Sequence, residues 1–272
     1  MKVAILIPTI NRPEFIKRTV LYYDSLESNH IIYIGDASDA ETSIITLTFL
    51  KDINNVSVKY FHWEGLGYSE TIGKLAKEAS AESDYCAFQG DDDYFIQSSL
   101  TECAEFLSNN PDYRTAQGRA VLVAMDKPEP ICGIKGISQY WGENSIESSS
   151  RYERFCFFNN NYYVLQFSVH RINNWIYDSR DFISIKDNVF HEYQQCFTFA
   201  ISGKSKFLDC LYLVRVRHPE LLLSSGKSLI ERITDPIWSA DYATTINSLS
   251  GTLSEDGAVS YTHLTLPTTP YV

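Results

Sequence analysis

Three consecutive carboxylates, Asp91, Asp92 and Asp93, follow Gly90 at the end of an apolar run over residues 85–90. Like charges this close repel, so ordering them costs free energy unless a cation sits among them. A D-x-D turn supplies one or two oxygen ligands to a hard divalent cation, Mg2+ or Mn2+, which keeps water and phosphate oxygens in its other positions. The alternative is a solvated acidic turn before a helix. Asp36 and Asp39 in GDASD are placed to hydrogen-bond a nucleobase or ribose, or to make an Asx turn into the next helix. Asn11 and Arg12 in PTINR could face a diphosphate or a base, or open a helix with Pro13 in its first turn. Lys74 could reach a phosphate or stand solvated. His218, after an apolar strand, could touch a metal or a phosphate; for it and for His170 the alternative is a structural role.

The elements that must position these groups are read from hydrophobic periodicity. Residues 2–7 form an apolar strand bounded by Pro8, and residues 12–26 have helical spacing with Phe15, Val20, Leu21 and Leu26 on one stripe. Strands follow at 30–38, 56–63 and 85–90, and helices at 40–53, 69–80 (Ser69 as N-cap) and 98–111, the last stopped by Asn-Asn-Pro. This alternation predicts βαβ units and a mostly parallel sheet. In such sheets ligands bind beyond the carboxyl ends of the strands, where PTINR, GDASD and GDDDY all fall. Beyond residue 111 the rhythm changes: a strand at 114–125, a turn at 127–136, an irregular polar-aromatic stretch at 136–158 and a strand at 162–171. A helix at 188–202 then ends at Gly203 as a C′ glycine, and a strand at 207–218 is stopped by Pro219.

The chain has 272 residues, 44% apolar and 14% aromatic, which suits one large domain with a sizeable core. A net charge of −11 argues against binding nucleic acid or an anionic membrane surface. The six cysteines include no CxxC pair and read as reduced thiols of a cytoplasmic protein. The N-terminus is a buried strand rather than a signal peptide, and no run of 18 apolar residues predicts a transmembrane helix. Peripheral membrane association stays compatible with this reading. Residues 259–272 are Thr/Pro-rich without helical period and look like translated sequencing-adapter read-through. They are expected to be non-native, with the natural C-terminus missing.

VAILIPTINRPEFIKRTV, YIGDASDAE and DYCAFQGDDDYFIQSSL together resemble the nucleotide-side motifs of family-2-type glycosyltransferases with the GT-A fold. The resemblance covers residues 1–115 well; FSVHR and residues 191–219 follow the second half more loosely. It implies an α/β chain of GT-A type, a Rossmann-like, mostly parallel sheet flanked by helices. Residues 1–115 would be the nucleotide-sugar-binding half, and residues 116–258 a smaller, mixed acceptor-side half of the same domain. Pro8, Thr9, Asn11, Arg12 and Lys74 would line a nucleotide sugar, a UDP- or GDP-sugar. Asp36 would contact the base, and Asp91 or Asp92 would point to the ribose. Asp93 is the first choice as ligand of Mn2+ or Mg2+, with Asp91 and His218 as further candidates. Members of the family usually invert the anomeric centre. They use a carboxylate base, commonly the Asp of a Glu-Asp pair about eleven residues before a helix-ending Gly. His191-Glu192 stands at that spacing here, so Glu192 is the implied base and Asp187 its rival; Gly90 replaces the first Asp of the family's D-x-D-D pattern. The implied activity is a metal-dependent sugar transfer to a glycan, lipid-linked or small-molecule acceptor, of hexosyltransferase class and the kind polysaccharide biosynthesis uses. A nucleotidyltransferase would want a glycine-rich phosphate loop after the first strand, and PTINRPEF has none. A non-catalytic nucleotide- or sugar-binding module on the same fold is the other alternative. Trp141, Tyr152, Tyr162, Tyr163 and Trp175 form either an acceptor pocket or a satellite core.

Overall fold

The computed structural model describes residues 1–140, 143–179, 185–219 and 229–254. Trp141 and the 259–272 tail lie outside them. The strands are β1 (Val3–Thr9), β2 (Ile31–Asp36), β3 (Ser57–His62), β4 (Tyr85–Phe88), β5 (Tyr94–Phe95), β6 (Tyr113–Met125), β7 (Ile134–Gln139), β8 (Val169–Arg171) and β9 (Lys204–Arg217). They join in one sheet, ordered β3-β2-β1-β4-β8-β6-β9-β5, with β7 paired to β6. The helices are α1 (Pro13–Ser25), α2 (Ala40–Leu50), α3 (Tyr68–Ala79), α4 (Gln97–Asn109), α5 (Arg151–Asn160), α6 (Ile172–Asp178), α7 (Asn188–Ser202), α8 (Leu229–Thr234) and α9 (Ser239–Ser254). Among the described residues no helix is long and apolar enough to cross a membrane.

The first half is parallel, β3-β2-β1-β4, as the alternation predicts. Val3, Ala4, Ile5, Leu6 and Ile7 are all fully buried in β1, the central strand of this half, and each large one contributes roughly 1.5–3 kcal/mol. Pairing of β1 with β4 stops at Leu6–Phe88, while pairing with β2 continues to Thr9–Asp36. Pro8, which has no N–H to give, therefore sits beyond the last β1–β4 pair. The two strands part there, and the acidic turn fills the gap.

The second half is mixed. β8 is antiparallel to both β4 and β6, β6 and β9 run parallel over most of their length, and β5 closes the edge antiparallel to β9. β6 itself crosses position 115, so the sheet is continuous across both halves.

Several local expectations are corrected. α3 begins at Tyr68 with Gly67 as its cap, so Ser69 is not the N-cap. Gly203 ends α7 in extended backbone (φ −172°), not as a left-handed C′ residue. Its missing side chain makes room for Arg114, whose Cγ would lie 2.4 Å from a Cβ there. The expected strand at 162–171 shortens to β8, preceded by a 3-10 turn at Leu165–Phe167. The stretch read as irregular holds β7 and α5. β7 is exposed along its whole length and so shows no apolar alternation. α5 did carry a signal: Ser150 caps it by accepting from Glu153 N–H, three residues on.

Candidate active site

The three clusters PTINR, GDASD and GDDDY meet at the carboxyl ends of β1, β2 and β4. Thr9 Oγ1 donates to Asp91 Oδ2 at 2.8 Å, and Thr19 Oγ1 donates to the Asp91 carbonyl at 2.6 Å. Arg12 pairs with Asp91 Oδ1 and reaches Asp92 Oδ2 at 3.1 Å, its guanidinium lying 3.6 Å over the Phe15 ring. Asn11 adopts φ +55°, and its N–H donates to Ser38 Oγ at 2.7 Å, tying the first cluster to the second. Asp36 is buried; Oδ1 accepts from Ser38 N–H at 2.9 Å and Oδ2 from the Tyr60 hydroxyl at 2.7 Å. Asp39 caps α2 by accepting from Thr42 N–H, the Asx alternative. Lys74 is exposed on α3, 5.1 Å from the centre of the Trp63 ring; the Trp63 N–H donates to Asp36 O.

The three aspartates differ in situation. Asp93 is buried, and its Oδ1 accepts from Val216 N–H on β9 at 2.9 Å. Burial, with repulsion from Asp92 added, pushes the carboxyls of Asp91 and Asp93 up to about 7, against the pull of Arg12 on Asp91 and of Arg215 on Asp93. Asp92 is the open member, with 22% of its side chain exposed against 7% for Asp91. Gly90 keeps this crowd feasible: a Cβ there would lie 2.9 Å from Asp93 Oδ2 and 3.2 Å from Asp92 Oδ1.

His218 stands beside Asp92. Its Nδ1 is 3.1 Å from the Lys127 carbonyl, its ring meets Phe15 edge-on, and its buried Nε2 has no hydrogen-bond partner. A carbonyl only accepts, so Nδ1 carries a proton, and in the neutral ring Nε2 presents a lone pair. That lone pair lies 3.9 Å from Asp92 Oδ2, another acceptor. Two acceptors facing each other suit a shared divalent cation with ligand bonds of about 2.1 Å. Among the described residues no group of three or more His, Cys, Asp or Glu is arranged to hold a metal. Asp92 and His218 are the pair that could hold one between them, with a diphosphate and water completing the set, whereas Asp93 and Asp91, the other expected ligands, are engaged by Val216 and by Thr9 and Arg12.

Glu192 projects from α7, partly exposed, and Oε1 accepts from the Tyr162 hydroxyl at 3.1 Å. Tyr162 in turn stacks on Tyr193 at 4.7 Å. Arg215 on β9 lies in the field of both sides. Burial alone would lower its pKa, but Tyr140, Asp93, Glu192 and Asp92 raise it, and the net direction is up. Its Nη1 donates to the Tyr140 hydroxyl at 2.6 Å. Arg215 and Tyr60 were not singled out from the sequence; the one available signal was a pair of arginines inside the apolar strand LYLVRVR.

Asp187 is occupied elsewhere. Its Oδ1 caps α7 by accepting from Val189 and Phe190 N–H, and its Oδ2 pairs with buried Arg232. It lines a separate pocket of about 500 Å³ with Trp238 and Asp241. His170 is a core residue, donating to Leu165 O at 2.8 Å. Tyr163 and Trp175 are buried in the core; Tyr152 is exposed.

Residues 4–128 match the family model for glycosyl transferase family 2. No curated protein matches the chain. Among solved structures, S. aureus TarS 1–349 in complex with UDP-GlcNAc is similar at 16% identity and TM-score 0.55, over 94% of this chain and 73% of that one. A further structure of S. aureus TarS 1–349 is 14% identical (TM-score 0.55) over 94% of this chain, which spans 66% of its length. GalNAc-T7 with UDP, GalNAc and Mn2+ is 11% identical with TM-score 0.56, over 90% of this chain and 48% of that one. Residues 4–128 thus carry the match to glycosyl transferase family 2, and the chain as a whole has the GT-A glycosyltransferase fold.

Proposed function

We propose that the protein transfers a sugar from a UDP-sugar to an acceptor hydroxyl with inversion, in a single displacement assisted by a divalent cation. One observation carries the reading: Arg215 feels both the acidic turn and Glu192, so a diphosphate locus and a carboxylate lie in the field of one buried arginine. Thr9, Asn11, Arg12 and Asp36 build the nucleotide side, with Asp36 acting through Ser38 and Tyr60. Mn2+ or Mg2+ on Asp92 and His218 would neutralise charge growing on the leaving diphosphate. Glu192 takes the acceptor proton as the new C–O bond forms and the bond from the anomeric carbon to the diphosphate breaks. Tyr162 holds that carboxylate in place. The UDP assignment draws on the UDP and UDP-GlcNAc bound by TarS and the UDP and Mn2+ bound by GalNAc-T7. Six free cysteines support a cytoplasmic location.

Glu192→Gln is the test. Turnover should fall by about 10²–10⁴-fold, while the affinity for UDP with Mn2+ stays at the wild-type value. Undiminished turnover would remove Glu192 as the base and favour another carboxylate.

A further inference from the structure

The β6–β7 hairpin ends in a tip, residues 127–132, whose neck is closed twice. Asp126 N–H donates to Gly133 O at 3.0 Å, and Gly133 N–H to Asp126 Oδ1 at 2.9 Å. The tip has no apolar anchor, since Ile131 is 86% exposed. It nevertheless turns two carbonyls inward. Lys127 O accepts from His218 Nδ1 at 3.1 Å, and Pro130 O accepts from Arg18 Nη1. The other Arg18 amino group donates to the Asp92 carbonyl at 3.2 Å. One tip of the hairpin thus holds both members of the Asp92–His218 couple, one directly and one through Arg18. Pro128 and Pro130 restrict the tip to few backbone conformers, so the carbonyls are pre-placed.

We propose that the 127–132 tip is a positioning strap for the cation site. By accepting the Nδ1 proton, Lys127 O fixes His218 in one tautomer and keeps the Nε2 lone pair turned toward Asp92. Partners of this kind, one bond removed from a metal, typically change its affinity 10–100-fold. Arg18 sets the other half of the distance by tying the strap to the acidic turn. The proposal rests on the reading that Asp92 and His218 share a divalent cation.

The experiment compares the full chain as wild type, His218→Ala, Pro128→Gly/Pro130→Gly and Arg18→Lys. Free Mn2+ is titrated by electron paramagnetic resonance with UDP present, and the His218 ring nitrogens are read by 15N NMR without Mn2+. The strap predicts one Nδ1–H tautomer in wild type and a mixture in the double glycine variant. It also predicts Mn2+ affinity about tenfold weaker in that variant, with only the small drop in thermal stability that freeing two prolines brings. Arg18→Lys should weaken Mn2+ in the same direction, and it stands in if the glycine variant unfolds. Loss of Mn2+ binding in His218→Ala, with wild-type affinity and a single tautomer in both strap variants, would overturn the strap and leave the cation reading intact. Equal Mn2+ binding by wild type and His218→Ala would overturn the cation reading and the strap with it.

Discussion

Asp93 and Val216 are joined across 123 positions: the Asp93 carboxylate accepts the Val216 N–H at 2.9 Å. This bond pins the acidic turn to the end of β9. It thereby sets Arg215 on one side of Val216 and, two residues beyond it, His218, each facing the turn. The Asp92–His218 pair and the position of Arg215 between the acidic turn and Glu192 both depend on where β9 ends.

Arg215→Gln should expose that dependence. Removing the cation leaves Asp93 and Glu192 without a shared positive neighbour, which favours their protonated forms. The acid limb of the kcat/KM–pH profile should move to higher pH, with turnover down about 10²-fold at neutral pH. A profile that keeps its acid limb, measured on folded protein, would show that Arg215 does not act on the base.

Asp187→Asn should separate stability from chemistry. The pair with Arg232 is buried on both sides, with side chains 7% and 4% exposed. Breaking such a pair costs about 3–5 kcal/mol, so the urea midpoint should fall sharply. Turnover per folded molecule should match wild type, because Asp187 caps α7 and faces another pocket. A loss of turnover without a loss of stability would return Asp187 to candidacy as the base.

Gly90→Ala should damage the acidic turn without touching its charges. Asp93 is fixed by Val216 and cannot swing away freely, so a Cβ 2.9 Å from its Oδ2 must displace it. Overpacking of this kind costs about 1–3 kcal/mol. Thermal unfolding should come earlier and Mn2+-dependent UDP binding should weaken; calorimetry reads both. Unchanged values would mean that the turn is looser than its contacts indicate.

His170 should contribute to acid lability. Burial lowers its pKa to about 3, partly opposed by its bond to Leu165 O, against an ordinary value of 6.5. The folded state holds the ring neutral, so the stability it contributes is complete above 6.5 and is lost as pH falls toward about 3. His191, lowered by burial to about 4, acts with the same sign. Urea unfolding at pH 7.5 and pH 5 should show a smaller difference in His170→Phe than in wild type. Equal differences would mean that the ring is solvated in the folded protein.

Much was legible without the fold. β1, β2 and β4 announced themselves because strands buried on both faces must be continuous apolar runs, and the helices between them had to cover those faces. Asp91–Asp93 and Asp36 stood out because polar residues after such runs fall at the carboxyl edge of the sheet. The unread elements lacked a local signal: β7 is wholly exposed, and β8 is three residues long.

The sequence by itself determined the parallel half, the edge on which the polar clusters gather and the types of group available there. Only the tertiary structure decided which carboxylate does what. Asp91, Asp92 and Asp93 are indistinguishable as letters; they differ because Thr9 and Arg12 engage the first and Val216 the third, while the second, reached by Arg12 alone, stays the more exposed beside His218. Glu192 and Asp187 stand five positions apart, yet Glu192 meets Tyr162 near Arg215 while Asp187 is consumed by a helix cap and Arg232. Such distinctions rest on contacts between residues tens to more than a hundred positions apart. They are set by strand pairing and helix packing, which no local pattern encodes.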